Sequence, residues 1–117
     1  METQAKVVIV GGGIMGVALA YHLAEEGETD VLLIEKGELT SGSTWHAAGQ
    51  CPSLVSNYNL AKIHDYGNRL YPTLEEKTGQ YVSWHASGGI RGARQQADLD
   101  WFHYMKGIAD NVGFHME

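Results

Sequence analysis

Residues 6–20, KVVIVGGGIMGVALA, decide the fold. A short β-branched run at 6–10 meets three glycines and passes at once into a helical pattern. Such a run bounded by glycine reads as a buried strand. The stretch VALAYHLAEEG then reads as a helix with Gly16, Leu19, Ala20, Leu23 and Ala24 on one face and Gly27 as its C-terminal cap. DVLLIE, residues 30–35, reads as a second buried strand. A strand–helix–strand unit of this kind pairs its strands in parallel through a right-handed crossover.

Each glycine of Gly11-x-Gly13-x-x-Gly16 has its own physical reason. Gly11 permits the tight turn out of the strand. Gly13 removes a Cβ that would hold a pyrophosphate away, and Gly16 lets the helix lie against its strand. The helix start offers free amides, those of Ile14 and Met15 among them, and a positive dipole end to phosphates. Glu35 ends the second strand about 20 residues further on, where a carboxylate can accept ribose hydroxyls. Glycine spacing alone is weak evidence. With the strand before it, the helix after it and the acid at its proper distance, it points to a dinucleotide.

Instead of returning through a crossover helix, the chain runs from Glu35 and Lys36 into GELTSGSTWHAAGQ. This second run of small and hydroxyl residues suits backbone laid along a long cofactor, which favours FAD over a nicotinamide. Among such small residues, Trp45 and His46 are the two groups that reach outward.

The remaining pattern is plainer. Residues 57–78 read as a helix with Leu60, Ile63, His64, Gly67, Leu70 and Tyr71 on a stripe, kinked or split at Pro72 and ended by Gly79. YVSW at 81–84 and GGIRGA at 88–93 are short strand candidates. A helix returns over 97–113, its stripe drawn through Leu99, Phe102, Tyr104, Lys106 and Ile108, and FHME resembles the start of another strand. His85 and Arg91 read as surface groups, and Trp84, Trp101 and Phe102 as core.

Composition narrows the function classes. Apolar residues at 44% against 19% charged indicate a globular chain. Lys plus Arg number 8 against 14 Asp plus Glu, for a net charge of −6. This disfavours nucleic acid and anionic membrane surfaces as partners. Residues 7–24 carry no charged side chain, but three glycines and His22 make that a poor membrane helix. No targeting segment is read at the start, and the expected location is cytoplasmic. Cys51, the one cysteine, allows no internal disulfide, which fits a reducing compartment. The six histidines lack metal-ligand spacing, so no metal is expected.

VVIVGGGIMGVALAYHLAEEG, continued by VLLIEKGELTSGSTWHAAGQ, resembles the D-amino-acid-oxidase-like superfamily of FAD-dependent oxidoreductases. Within it the chain is most similar to the dimethylglycine and sarcosine dehydrogenase branch. The resemblance is sharp over residues 6–50 and weaker beyond. It implies an α/β fold: a Rossmann-like FAD-binding βαβ unit with following helices and short strands, incomplete relative to the family. Residues 1–117 would form the N-terminal part of one dinucleotide-binding domain.

The resemblance also implies FAD contacts at Ile14 and Met15, at Glu35 and Lys36, and at Gly42, Ser43, Thr44, Trp45, His46, Ala47, Ala48, Gly49 and Gln50. His46 would carry the flavin covalently. Ser41 stands where alanine is common in the family, and Gln50 where leucine is. The implied reaction is oxidation of an N-methyl amine such as dimethylglycine or sarcosine by hydride transfer to FAD. Electrons would pass to an electron-transfer flavoprotein or oxygen, and the longer enzyme would also take tetrahydrofolate. Catalytic residues would lie beyond residue 117, and the isolated chain would turn over nothing. Two rivals are a non-catalytic regulatory protein on this scaffold, as the pyruvate dehydrogenase phosphatase regulatory subunit is, and a nicotinamide-binding module.

Overall fold

The structure, a computed structural model, describes residues 4–117. The chain folds as two compact units, one running to Gly49 and the other Gln50–Glu117.

The first unit contains β1 (Val7–Val10), α1 (Ile14–Glu25) and β2 (Val31–Ile34). The strands pair in parallel with Val7 opposite Val31 and Val10 opposite Ile34. Alternation puts Val7, Ile9, Val31 and Leu33 on the more buried face, with Ile9 only 6% exposed. The other face, with Val8, Val10, Leu32 and Ile34, is open, and Val10 is 84% exposed. At the entry to the sheet, Val7 N–H donates to Asp30 O at 3.1 Å and Lys6 pairs with Glu28. That hydrogen-bonded pair raises the Lys6 pKa and lowers that of Glu28.

No residue of α1 is fully buried. Gly16, Ala20 and Leu23 are half-buried, while Leu19 and Ala24 are exposed. The expected stripe is therefore narrower than the sequence suggested, as a two-stranded sheet can cover only part of a helix face. Gly27 ends α1 in the left-handed region at φ 86°. Its amide donates to Ala24 O and that of Glu28 to Leu23 O, the double bond of a Schellman cap.

The second unit contains α2 (Tyr58–Thr78) and α3 (Gln96–Val112). The Asn57 side chain caps α2 by accepting from Leu60 N–H at 3.1 Å, and Gly79 ends it at φ 69°. α2 is not split at Pro72; the Thr73 hydroxyl donates to Leu70 O at 2.8 Å beside the proline. α3 starts with a capping box between Gln95 and Asp98. Amides of Arg94 and Gln95 donate to that carboxylate, which lowers the Asp98 pKa. Gly113 ends the helix at φ 97°.

The helices meet over Ala61, Met105 and Ile108, with Leu54, Val55, Val112, Phe114 and Met116 packed around them. Both predicted stripes need correction. On α2 the covered side runs through Ala61, His64, Gly67, Leu70 and Tyr71, as expected for the last four, while Leu60 and Ile63 are exposed. On α3 it runs through Phe102, Met105, Ile108 and Val112, while Leu99, Tyr104 and Lys106 are exposed. The strands expected at 81–84, 88–93 and in FHME do not form. Extended chain becomes a strand only beside a partner, and these segments have none among the described residues. Trp84 stacks on Tyr71 at 5.7 Å, whereas Trp101 is 45% exposed and not core.

Candidate dinucleotide-binding site

The glycine turn between β1 and α1 is built as its spacing requires. Gly11 donates to Ile34 O at 2.8 Å and then turns at φ 109°, where a side chain would be strained. A Cβ on Gly16 would lie 1.9 Å from Gly11 O and 3.3 Å from Ile9 Cγ2, so only glycine lets α1 come this close to the strand end.

Gly12, between the spaced glycines, is a site residue that spacing did not reveal. It is buried, and its amide donates to Glu35 Oε2 at 2.7 Å. The other carboxylate oxygen accepts from Gly37 N–H at 2.9 Å. These amides hold the Glu35 pKa below the ordinary carboxylate value, Gly12 contributing most and Gly37 next. Glu35 is thus charged at neutral pH and braces the glycine turn. Each oxygen keeps a lone pair, so a ribose hydroxyl can still be accepted.

The segment after β2 folds back onto this turn. Thr40, at φ 65°, donates its amide to Gly12 O at 2.9 Å. Leu39 lies over Gly12, its Cδ2 2.5 Å from where a Cβ would stand. The Thr44 hydroxyl accepts from Ile14 N–H at 2.9 Å. The Ile14 amide is therefore already engaged within the protein. Met15 and Gly16 belong to the first turn, whose amides have no intrahelical carbonyl to reach, and that turn carries no acidic residue. An anion there meets amides and the positive end of the helix.

Residues 40–47 form tight turns: Trp45 N–H donates to Thr40 O and Gly42 O, both at 3.1 Å, and Ala47 N–H to Thr44 O at 3.2 Å. The His46 ring lies with Nδ1 3.0 Å from Gly42 O. A carbonyl only accepts, so Nδ1 carries a proton, and in the neutral ring the lone pair is then on Nε2. Trp45 is 78% exposed. Met15, Lys36, Gly42, Ser43, Ala47, Ala48 and Gly49 are exposed as well. Gln50 belongs to the second unit.

Other candidates fall away. His85 and Arg91 are exposed, Arg91 donating to Leu54 O at 3.3 Å. Among the described residues, no His, Cys, Asp and Glu group could hold a metal, and no helix is long and apolar enough to cross a membrane.

A parallel βαβ unit, a glycine turn at the helix start and an acid braced on that turn define a dinucleotide-binding protein. The model of the DAO family of FAD-dependent oxidoreductases matches residues 6–115, and the chain belongs to that family. It is 52% identical over 103 residues to human mitochondrial dimethylglycine dehydrogenase, covering 88% of this chain and 12% of that protein. It is 41% identical over 99 residues to the mouse mitochondrial pyruvate dehydrogenase phosphatase regulatory subunit, covering 85% of this chain and 11% of that one. The crystal structure of L-proline dehydrogenase from P. horikoshii superposes with a TM-score of 0.85 at 25% identity, over 97% of this chain and 29% of that one. The chain thus spans about an eighth of the length of the two named relatives.

Proposed function

We propose that this chain is the N-terminal FAD-binding portion of a flavin-dependent amine oxidoreductase acting on N-methyl amines such as dimethylglycine or sarcosine. The observation that carries the reading is the union of two segments. The glycine turn and the segment bearing His46 are hydrogen-bonded into one site, through Thr40 on Gly12 and Thr44 on Ile14.

The site fits FAD. The first-turn amides of Met15 and Gly16 would hold the pyrophosphate, and Glu35 the adenosine ribose. The small side chains at 42–44 and 47–49 leave backbone open to the rest of the cofactor, where Trp45 would pack. His46 would carry the flavin covalently, its Nδ1 proton held by Gly42 O and its Nε2 free to bond. Bound there, FAD supplies the two-electron acceptor for a hydride from the carbon beside an amine nitrogen. This chain's own residues bind and orient the cofactor.

The groups that grip the amine would come from the rest of a longer polypeptide. The open apolar face of β1 and β2 favours such a completion, because parallel sheets are covered on both sides. The same reading carries both units as parts of one domain, a cytoplasmic reducing setting for Cys51, an electron-transfer flavoprotein or oxygen as acceptor, and tetrahydrofolate in the full-length enzyme. The second reading, a non-catalytic regulatory flavoprotein, draws on the 41% identity to the phosphatase regulatory subunit.

One experiment separates the two. Dimethylglycine, sarcosine and glycine are each added to the full-length yellow protein without oxygen. Bleaching by a methylated amine but not by glycine supports the enzyme. A flavin band unmoved by any of a panel of N-methyl amines favours the regulatory protein.

A further inference from the structure

The N-cap of α1 is Gly13, which has no side chain to cap the helix. The cap comes from Thr44, thirty positions beyond Ile14, through the 2.9 Å bond from Ile14 N–H to its hydroxyl oxygen. A Cβ on Gly13 would stand 3.1 Å from the same oxygen, so the hydroxyl rests against the turn backbone itself. Thr40 provides a second strap, on Gly12 O. Between the straps and His46 the chain has little freedom. His46 N–H donates to Ser43 O at 3.2 Å, and the ring is held by Gly42 O.

We propose that Thr44 is the positioning residue for flavin attachment. Its hydroxyl docks the His46 turn on the N-terminus of α1 and so sets the reach between the phosphate-binding amides and Nε2. This rests on the FAD reading above and deepens it. Thr44 takes no part in the new bond. That bond joins Nε2 to the methyl carbon on the benzenoid edge of the flavin. The C–H electron pair and the two displaced protons, one from the methyl and one from the imidazole, pass to the ring system, and dioxygen removes them as hydrogen peroxide. A bonding step of this kind depends on reach, and a displacement of about 1 Å can cost on the order of a hundredfold in rate.

The test uses the full-length protein, reconstituted with FAD in air and precipitated with acid at fixed times. The readout is the share of bound flavin that stays with the pellet. Thr44→Val removes the acceptor. Ile14→Pro removes the donor from the other side. Proline is favoured at the first helical position, and the extended Gly13 (φ −75°, ψ −179°) suits the residue before it. Both variants are expected to slow attachment by roughly ten- to a hundredfold, with Thr44→Ser attaching as the wild type does.

A wild-type rate in either Thr44→Val or Ile14→Pro overturns the proposal, as does a Thr44→Ser as slow as the valine. If Thr44→Val does not fold, Ile14→Pro decides alone. Variants that fold but bind no flavin overturn it too, because the tie would then serve binding and not placement. Wild-type protein that gives up all its flavin to acid defeats the covalent reading itself. Wild type and variants attaching alike defeats only the role of Thr44.

Discussion

Glu35 Oε2 accepts the Gly12 amide at 2.7 Å, joining the end of β2 to the turn after β1. The glycine turn is therefore braced by a carboxylate whose charged form makes the stronger acceptor. The amides of Gly12 and Gly37 lower its pKa, so the folded state favours the ionised form. The stabilisation is fully present above the ordinary carboxylate value, about 4.3, and is lost as pH falls through the lowered folded value. Acid titration of the folded protein is expected to show the first unit loosening only below that ordinary value. Glu35→Gln is expected to abolish that component and to weaken FAD binding at neutral pH. Melting curves and flavin content across pH check both.

Two glycines separate a packing requirement from simple helix propensity. Gly16→Ala would set a Cβ 1.9 Å from Gly11 O, a backbone atom that cannot swing away. It is expected to cost at least the 1–3 kcal/mol, roughly, of an overpacked core and to abolish flavin binding. A Cβ on Gly107, inside α3, would meet nothing within 4 Å. Gly107→Ala is expected to stabilise by about 0.5–1 kcal/mol. Denaturant melts of the two variants give opposite signs.

Met105 is the largest side chain fully buried in the second unit, at 2% exposure. Met105→Ala would leave a cavity between Ala61 and Ile108 and is expected to cost about 2–5 kcal/mol. Denaturant unfolding monitored by circular dichroism measures it.

The strand–helix–strand unit, its glycines and Glu35 were legible because their signals are local. A β-branched run, a glycine spacing and an acid at the strand end each announce themselves within a few residues. Gly12, Leu39 and Thr40 were not legible as site residues, because their roles come from contacts across more than twenty positions. The bond from the Ile14 amide to Thr44 was not legible for the same reason: spacing cannot show a hydroxyl arriving from a later loop. The stripes on α2 and α3 held in part: Leu60 and Ile63 on α2, and Leu99, Tyr104 and Lys106 on α3, are exposed, while the other named positions are covered. Apolar residues sit on both sides of these helices, and only packing chooses Ala61 over Leu60 or Met105 over Tyr104. The segments at 81–84 and 88–93 have strand-like composition, but a strand is a property of a pair.

The central claim is that the turn carrying His46 completes a flavin site on the glycine loop and bonds to the cofactor. The most direct measurement is acid precipitation of the full-length protein, followed by proteolysis and mass analysis of the peptide containing residue 46. The account expects yellow colour in the pellet and a flavin adduct on His46, absent from His46→Ala. Flavin released wholly to the supernatant, or an adduct on another residue, would contradict it.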